Sequence, residues 1–462
     1  MGPIPVVPEA VVSKIAAVVG PQHLLREREA RYTYAYDATE LTALPDLVVF
    51  PGSAAEIAAI VRLANRYRFP VIPRGAGTNQ VGAAVPLQGG VVLALSRMNR
   101  ILEINPEDLV AVVEPGVVTG HLKQAAAEKG LYYPPDPGSQ DYCTIGGNVA
   151  TGAGGAVAVQ YGVTRDYVLG LEVVLPTGEI IEAGTRTMKG VVGYDLTRLF
   201  LGSEGTLGVI TRIILRLVPQ PACRRTLAAG FLSLEAATDA VGRILSSGLT
   251  PTAVEFMDQA TLGCLKDMLP LAVPPEVAAV LLLAVDGHEQ DVAVRAWRMA
   301  AICRELGAVL VFEAQDEAAE QLWQARKAIS PAMARLRPHK VAEDVAVPLS
   351  AIPALVEGVQ EISRRLEMPI ICFGHAGDGN IHVNVLYDKK VERERRAVPQ
   401  AVAEIFTLTR RLRGTLSGEH GVGLTKAPYL KLELSEAAIA LQKRLKAAFD
   451  PRQIMNPGKI FP

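Results

Sequence analysis

Four residues offer the clearest chemistry in this chain: His375, His382, Glu419 and His420. They lie in Phe373-Gly374-His375-Ala376-Gly377-Asp378-Gly379-Asn380-Ile381-His382 and in Ser417-Gly418-Glu419-His420-Gly421, which together hold three of the chain's seven histidines. Two imidazoles and a carboxylate suit zinc, manganese or ferrous iron and leave coordination positions open for a substrate. Gly377 and Gly379 allow a turn that brings His375 and His382 to one centre, with Glu419 supplying an oxygen from another segment. The alternative is a pair of hydrogen-bonded histidines at a strand end, and the residues alone leave the two readings level. His420 is then left over. An imidazole titrates near neutral pH and is a natural general base for an alcohol proton; its other reading is a residue that orients a ligand. Asn380 either hydrogen-bonds a substrate or shapes the turn.

A second kind of chemistry sits in the first half. Gly75-Ala76-Gly77-Thr78-Asn79 follows a short strand, Gly146 to Gly155 follows Pro137-Gly138-Ser139, and Gly202-Ser203-Glu204-Gly205-Thr206-Leu207-Gly208 comes third. Glycine permits positive φ and close backbone approach, so consecutive amides can converge on a phosphate. One such cluster reads as an ordinary turn; three, each with Ser, Thr or Asn interleaved, point to a diphosphate ligand. None has the strand, G-x-G-x-x-G and helix of a Rossmann site with an acid about 20 residues later, which argues against a Rossmann-bound NAD.

These segments need large cores to position them. The chain has 462 residues, 49% hydrophobic and 21% charged, enough for about two to four domains. Its mean hydropathy of +0.23 argues against disorder. The longest apolar run, Val277 to Val285, is strand-length and far short of a membrane span. The start, Met1-Gly2-Pro3-Ile4-Pro5, lacks the basic and apolar regions of a secretion signal. A net charge of -1 gives no electrostatic reason to expect nucleic acid. The five scattered cysteines, Cys143, Cys223, Cys264, Cys303 and Cys372, fit a reduced, cytoplasmic chain and lack the clustering of common iron–sulfur sites. The run Val391-Glu392-Arg393-Glu394-Arg395-Arg396 reads as a solvated helix face.

Ser53-x-x-Glu56 ahead of Ile57, Ile60, Val61 and Ala64 predicts a helix over 53–67. Strands are expected at 70–73, 91–95 and 110–113, a helix at 118–129 stopped by Gly130, a hairpin at 171–175 and 180–182, and a strand at 210–217. Pro219-Gln220-Pro221 then breaks the chain. Strand 226–232, helix 234–247, strand 252–257, strand 277–285, helix 289–306 and strand 309–313 follow the order of a ferredoxin-like layer. A strand at 345–347, a helix at 350–366 and a strand pair at 369–373 and 381–387 extend it, the histidine loop joining the pair. A closing helix at about 435–449 precedes Asn456-Pro457-Gly458-Lys459.

Read in order, Pro73 to Asn79, Pro134 to Ser139, Thr144 to Asn148 and Gly202 to Gly208 resemble the FAD-binding signatures of the vanillyl-alcohol oxidase/PCMH superfamily. With Gly374 to His382, Gly418 to Gly421 and Asn456 to Lys459 added, the chain resembles the glycolate oxidase D-subunit/D-lactate dehydrogenase branch from about residue 40 to its end. The resemblance implies an α+β protein. Residues 1–219 would form a bipartite PCMH-type FAD-binding domain and 220–410 a ferredoxin-like antiparallel-sheet cap that carries the substrate, with 411–462 returning to the FAD domain and the active site between them. It places diphosphate contacts on Arg74, Gly75, Ala76, Gly77, Thr78 and Asn79. Further flavin contacts fall on Pro137, Ser139, Gly146, Asn148, Gly155, Glu204 and Ile210, with Asn456 approaching from the tail. The first glycine clusters hold no histidine tether and Cys143 reads as a packing residue, so dissociable FAD is expected.

In several members of that branch the positions of His375, His382 and Glu419 bind a divalent metal, and His420 matches the base. Arg326, in Trp323-Gln324-Ala325-Arg326-Lys327, resembles the arginine that pairs with the substrate carboxylate. Relatives with larger substrates carry a lysine two residues before the aspartate at Asp344. This chain has Ala342 there and Lys340 as the nearest lysine, which favours a small acid over 2-hydroxyglutarate. The expected reaction is oxidation of a D-2-hydroxy acid, lactate or glycolate, to the 2-oxo acid. The metal acidifies the hydroxyl, His420 takes its proton and hydride passes to FAD. An electron-accepting partner, an iron–sulfur subunit or an electron-transfer flavoprotein, is implied, with a homodimer and peripheral membrane attachment through the partner compatible with the chain. Competing readings are a dehydrogenase of another hydroxy acid, a metallohydrolase in which His375, His382 and Glu419 activate water, and a subunit that only relays electrons.

Overall fold

A computed structural model describes residues 7–461 of the protein. The opening Met1–Pro5 segment lies outside the described residues. The chain divides into two compact units: residues 1–154, 163–220 and 419–462 form the first, and residues 155–162 and 221–418 the second.

The first unit contains a four-stranded sheet in the order Leu24–Leu25, Leu47–Val49, Val91–Ala94, Val71–Arg74, the last two pairings being parallel. Parallel strands need helical crossovers and burial on both faces, and the apolar strands Leu47–Val49 and Val91–Ala94 are buried throughout. One crossover is the helix Ala54–Tyr67. Ser53 Oγ accepts the Glu56 N–H at 3.2 Å, Glu56 Oε2 accepts the Gly52 N–H at 2.7 Å, and Ile57, Ile60, Val61 and Ala64 face the core. The unit also holds an antiparallel sheet, Ile101–Asn105, Val110–Val113, Val209–Arg216, Val168–Val174, Ile180–Gly184. This pair of sheets is the bipartite arrangement expected of the FAD-binding part of the fold.

The second unit is built on a seven-stranded antiparallel sheet in the order Ala308–Ala314, Cys223–Phe231, Ala279–Gly287, Ala253–Asp258, Ile370–His375, Asn380–Tyr387, His339–Ala346. Its first four strands, with helices Leu234–Ser246 and Glu289–Glu305, are the ferredoxin-like layer read from the sequence. The strand expected at 345–347 runs instead over His339–Ala346, where eight residues pair with Asn380–Tyr387. His339, Lys340, Glu343 and Asp344 obscure its apolar pattern. Thr415 bridges to Ala346 and the Gly418 N–H donates to the Asp344 carbonyl at 2.9 Å, which ties the chain to this edge strand as far as Gly418.

The charged run from Val391 is helical, as part of Glu392–Arg411, yet its face is not wholly solvated. Glu394 is buried and accepts from the Arg337 guanidinium and, at 2.7 Å, from the Asp388 N–H. No helix of the described residues is long and apolar enough to cross a membrane.

Candidate cofactor cradle and active-site residues

In the first unit, the strand Val71–Arg74 delivers its C-terminal end directly into Gly75-Ala76-Gly77. Arg74 is buried, donates through Nη1 to the Tyr36 carbonyl at 2.6 Å and lies over the Tyr34 ring. Ala76 is exposed and Thr78 and Asn79 are half-buried, a rim rather than a core. Asn79 Oδ1 holds the following turn by accepting the Ala83 N–H at 3.0 Å. Asn148 Nδ2 donates to Thr119 Oγ1 at 2.7 Å, and the Ser139 carbonyl accepts the Cys143 N–H at 2.8 Å. The Pro137 carbonyl accepts the Gln140 N–H, and Ile210 is buried in its strand. Cys143 is buried with its sulfur 3.3 Å from Thr119 Oγ1, a packing position.

Close backbone approach explains two of the glycines. A Cβ on Gly75 would stand 2.3 Å from Thr144 Oγ1, and one on Gly146 would stand 2.5 Å from Pro115 Cβ and 2.8 Å from its carbonyl oxygen. Pro115 cannot retreat as a long side chain can. Gly146→Ala is therefore expected to cost about 1–3 kcal/mol by overpacking, read as a lowered melting temperature and a reduced flavin content after purification.

Asn456 closes the unit from the tail. Its Nδ2 donates to the Ala83 carbonyl at 2.9 Å and to the Glu204 carbonyl at 2.7 Å, while its buried Oδ1 has no partner among the described residues. A buried acceptor left unmatched is costly, and a bound group with an N–H, as a flavin ring has, would satisfy it. This orphaned acceptor fits FAD. Gly155 falls in the 155–162 segment of the second unit.

The Glu204 side chain has a different task from the one expected. It sits at φ +52, is fully buried, and accepts the Val422 N–H at 2.7 Å and the Gly423 N–H at 2.9 Å, which pins the C-terminal segment. Burial pushes its carboxyl up to about 7 against the pull of those amides and of Lys459 and Lys426. Burial likewise lowers Lys459 to about 8. A carboxyl raised in the folded state loses stability as pH rises from its unfolded value to its folded one, and an ammonium lowered in the folded state regains it above that. Stability should therefore fall from about pH 4.5 to 7 and recover above about pH 8. Glu204→Gln should abolish the first slope in melting temperatures taken across pH 5–8.

In the second unit, alternation along the strands and the pairing register decide what shares a face. Glu255 pairs with His375, Met257 and His382 pair with Phe373, Asn384 pairs with Ile371, and Asp344 pairs with His382. Glu255, His375, His382, Asn384 and Asp344 thus extend the face whose apolar part, Met257, Ile371 and Phe373, packs with Leu262, Leu322 and Ile329 of covering helices. His375 and His382 rings stand edge to face with centroids 5.1 Å apart, and Phe373 lies 5.2 Å from His382. The glycine turn does bring the two imidazoles together.

Arg326, from the helix Asp316–Lys327, lies over the Phe373 ring at 4.7 Å and donates through Nε to Glu255 Oε2. Glu255 Oε1 meets His375 Nδ1 at 2.5 Å. Sequence reading missed Glu255. Its signal was a single carboxylate inside the apolar strand Ala253-Val254-Glu255-Phe256-Met257. Burial alone would raise this fully enclosed carboxyl, but Arg326 and His375 hold it well below the glutamate range. Asn380 is buried and donates through Nδ2 to the Val345 carbonyl at 3.1 Å, which helps to hold the turn. Glu419 is the residue after Gly418, and in the first unit its Oε1 lies 3.8 Å from His420 Nε2, which is 3.4 Å from Gln80 Nε2.

A parallel-strand layer with a glycine cradle, and a ferredoxin-like sheet bearing paired histidines beside an arginine, define a flavoprotein oxidoreductase. Residues 220–460 match the family of FAD linked oxidases, C-terminal domain, and residues 45–184 match an FAD binding domain. The chain is 45% identical over 98% of its length to 96% of glycolate oxidase subunit GlcD of Bacillus subtilis, and 35% identical over 96% to 95% of D-lactate dehydrogenase of Anaerostipes hadrus. Its fold is that of p-cresol methylhydroxylase, with a TM-score of 0.82 at 19% identity, covering 98% of this chain and 96% of that one. The protein belongs to the FAD-linked oxidases.

Proposed function

We propose that this protein is an FAD-dependent dehydrogenase of a small D-2-hydroxy acid, D-lactate or glycolate, producing the 2-oxo acid and passing electrons to a protein partner. The observation that carries the reading is the second unit's sheet face, where His375, His382 and Arg326 stand together. A substrate with a carboxylate beside a hydroxyl calls for a cation next to imidazole ligands. The relatives named for glycolate and D-lactate support the substrate class, and the first of them is a subunit, which supports a protein partner.

FAD, when bound, supplies the acceptor for a hydride from the substrate's α-carbon. It would be held by Arg74 to Asn79, Ser139, Gly146, Asn148 and Asn456. The residues of the chain do the rest. Arg326 offers Nη1 and Nη2, which have no partner among the described residues, to the substrate carboxylate. His420 takes the hydroxyl proton. A divalent ion held by His375 and His382, with Glu419 as the expected third ligand, would acidify the hydroxyl. FAD-family membership sets the metallohydrolase aside.

Rates with glycolate, D-lactate and D-2-hydroxyglutarate test the substrate. Lys340 lies on the same sheet face, two and four residues before Ala342 and Asp344, but donates to Ser330. The small acids should give the higher kcat/KM; a clear preference for D-2-hydroxyglutarate would overturn that assignment. Metal content before and after chelation, with activity restored by zinc, manganese or iron, tests the metal.

A further inference from the structure

We infer that Glu255 is a positioning residue that couples the substrate's carboxylate anchor to the metal ligand, one carboxylate aiming both Arg326 and His375. The inference rests on the dehydrogenase reading above and adds to it a residue that touches neither substrate nor metal.

Three observations within the second unit carry it. First, Glu255 is fully buried in the strand Ala253–Asp258. A lone buried carboxylate is strongly unfavourable, so its place in the fold requires charged partners. Second, those partners are divided between its two oxygens: Oε2 accepts from Arg326 Nε and Oε1 meets His375 Nδ1 at 2.5 Å. Neither oxygen can shift without disturbing a functional side chain. Third, each contact also sets how its partner is held. An ionised carboxylate only accepts, so His375 donates Nδ1–H to it, which sets the ring's tautomer and raises its basicity as a ligand. With Nε engaged and the guanidinium plane resting on Phe373 at 4.7 Å, Arg326 presents Nη1 and Nη2 as a fork.

The shared carboxylate has a consequence that separate supports would lack. Arg326 and His375 compete for the charge of Glu255, so altering one alters the other. Removing the Arg326 charge should leave more of the carboxylate's field on His375 and tighten metal binding, although Arg326 is no ligand. Removing the Glu255 charge should loosen both sites together.

The test uses the full-length, flavin-loaded protein and measures Zn2+ and Mn2+ affinity against a chromophoric chelator, with KM for D-lactate taken in parallel. Glu255→Gln should weaken metal binding roughly 10- to 100-fold and raise KM, and Glu255→Asp should recover part of both. Arg326→Gln should bind metal several-fold more tightly than wild type, which keeps the test decisive if Glu255→Gln does not fold. Unchanged metal affinity in folded Glu255→Gln, or in Arg326→Gln, overturns the coupling while leaving the dehydrogenase reading intact, provided the wild type binds metal and its flavin is reduced by the hydroxy acid. A wild type that binds neither metal ion overturns the coupling and the metal assignment together.

Discussion

His420→Ala should purify with its full complement of FAD and reduce that flavin roughly 100- to 10,000-fold more slowly on adding D-lactate, the usual contribution of a positioned general base. His420 belongs to the first unit, where it sits beside Glu419 and Gln80. Flavin content is the internal control. Stopped-flow absorbance separates the outcomes: a variant that keeps its flavin and reduces it at the wild-type rate removes His420 from the mechanism. His420→Gln, which keeps a polar side chain of similar reach, should be as slow as the alanine variant, since an amide cannot take up the proton.

Arg326→Ala should show the largest combined loss. Its guanidinium is the charged partner of fully buried Glu255, and its side chain is only 13% exposed. Breaking such a pair from one side leaves an uncompensated buried charge, typically about 3–5 kcal/mol. The same variant loses the proposed anchor for the substrate carboxylate, so KM for D-lactate should rise about tenfold or more, or ~1.4 kcal/mol of binding. Arg326→Lys restores charge without the planar fork and should recover stability better than KM. A KM unchanged in a folded Arg326→Ala protein would place the carboxylate elsewhere.

How much of this was legible beforehand depends on the range of the interaction. The glycine clusters and the helix at 54–67 were readable because their causes are local: positive φ, close approach, a serine cap. The ferredoxin-like order was readable because apolar runs and helical periods alternate cleanly. The strand His339–Ala346 was only half visible, since four polar side chains interrupt its pattern and its pairing is with residues 380–387. Glu394 looked solvated because nothing near it in sequence reveals Arg337.

The site shows the same division. His375 and His382 were found because one glycine turn joins them. Glu255 was missed because its partners lie 71 and 120 residues away. Glu204 was read only as a ligand contact and Asn380 as a substrate contact or a turn residue, and their partners in the fold were not seen: Asn380 Nδ2 holds the Val345 carbonyl and Glu204 holds the amides of Val422 and Gly423. Motif resemblance identifies positions; which atoms remain for a ligand is decided by neighbours distant in sequence.

The most direct measurement is the visible spectrum of the anaerobic, FAD-loaded protein before and after D-lactate, glycolate and, as control, L-lactate. Bleaching of the flavin band by D-lactate or glycolate with no change from L-lactate is the predicted result. A flavin spectrum indifferent to all three acids, or one bleached equally by both lactate isomers, would contradict the proposed D-2-hydroxy acid dehydrogenase.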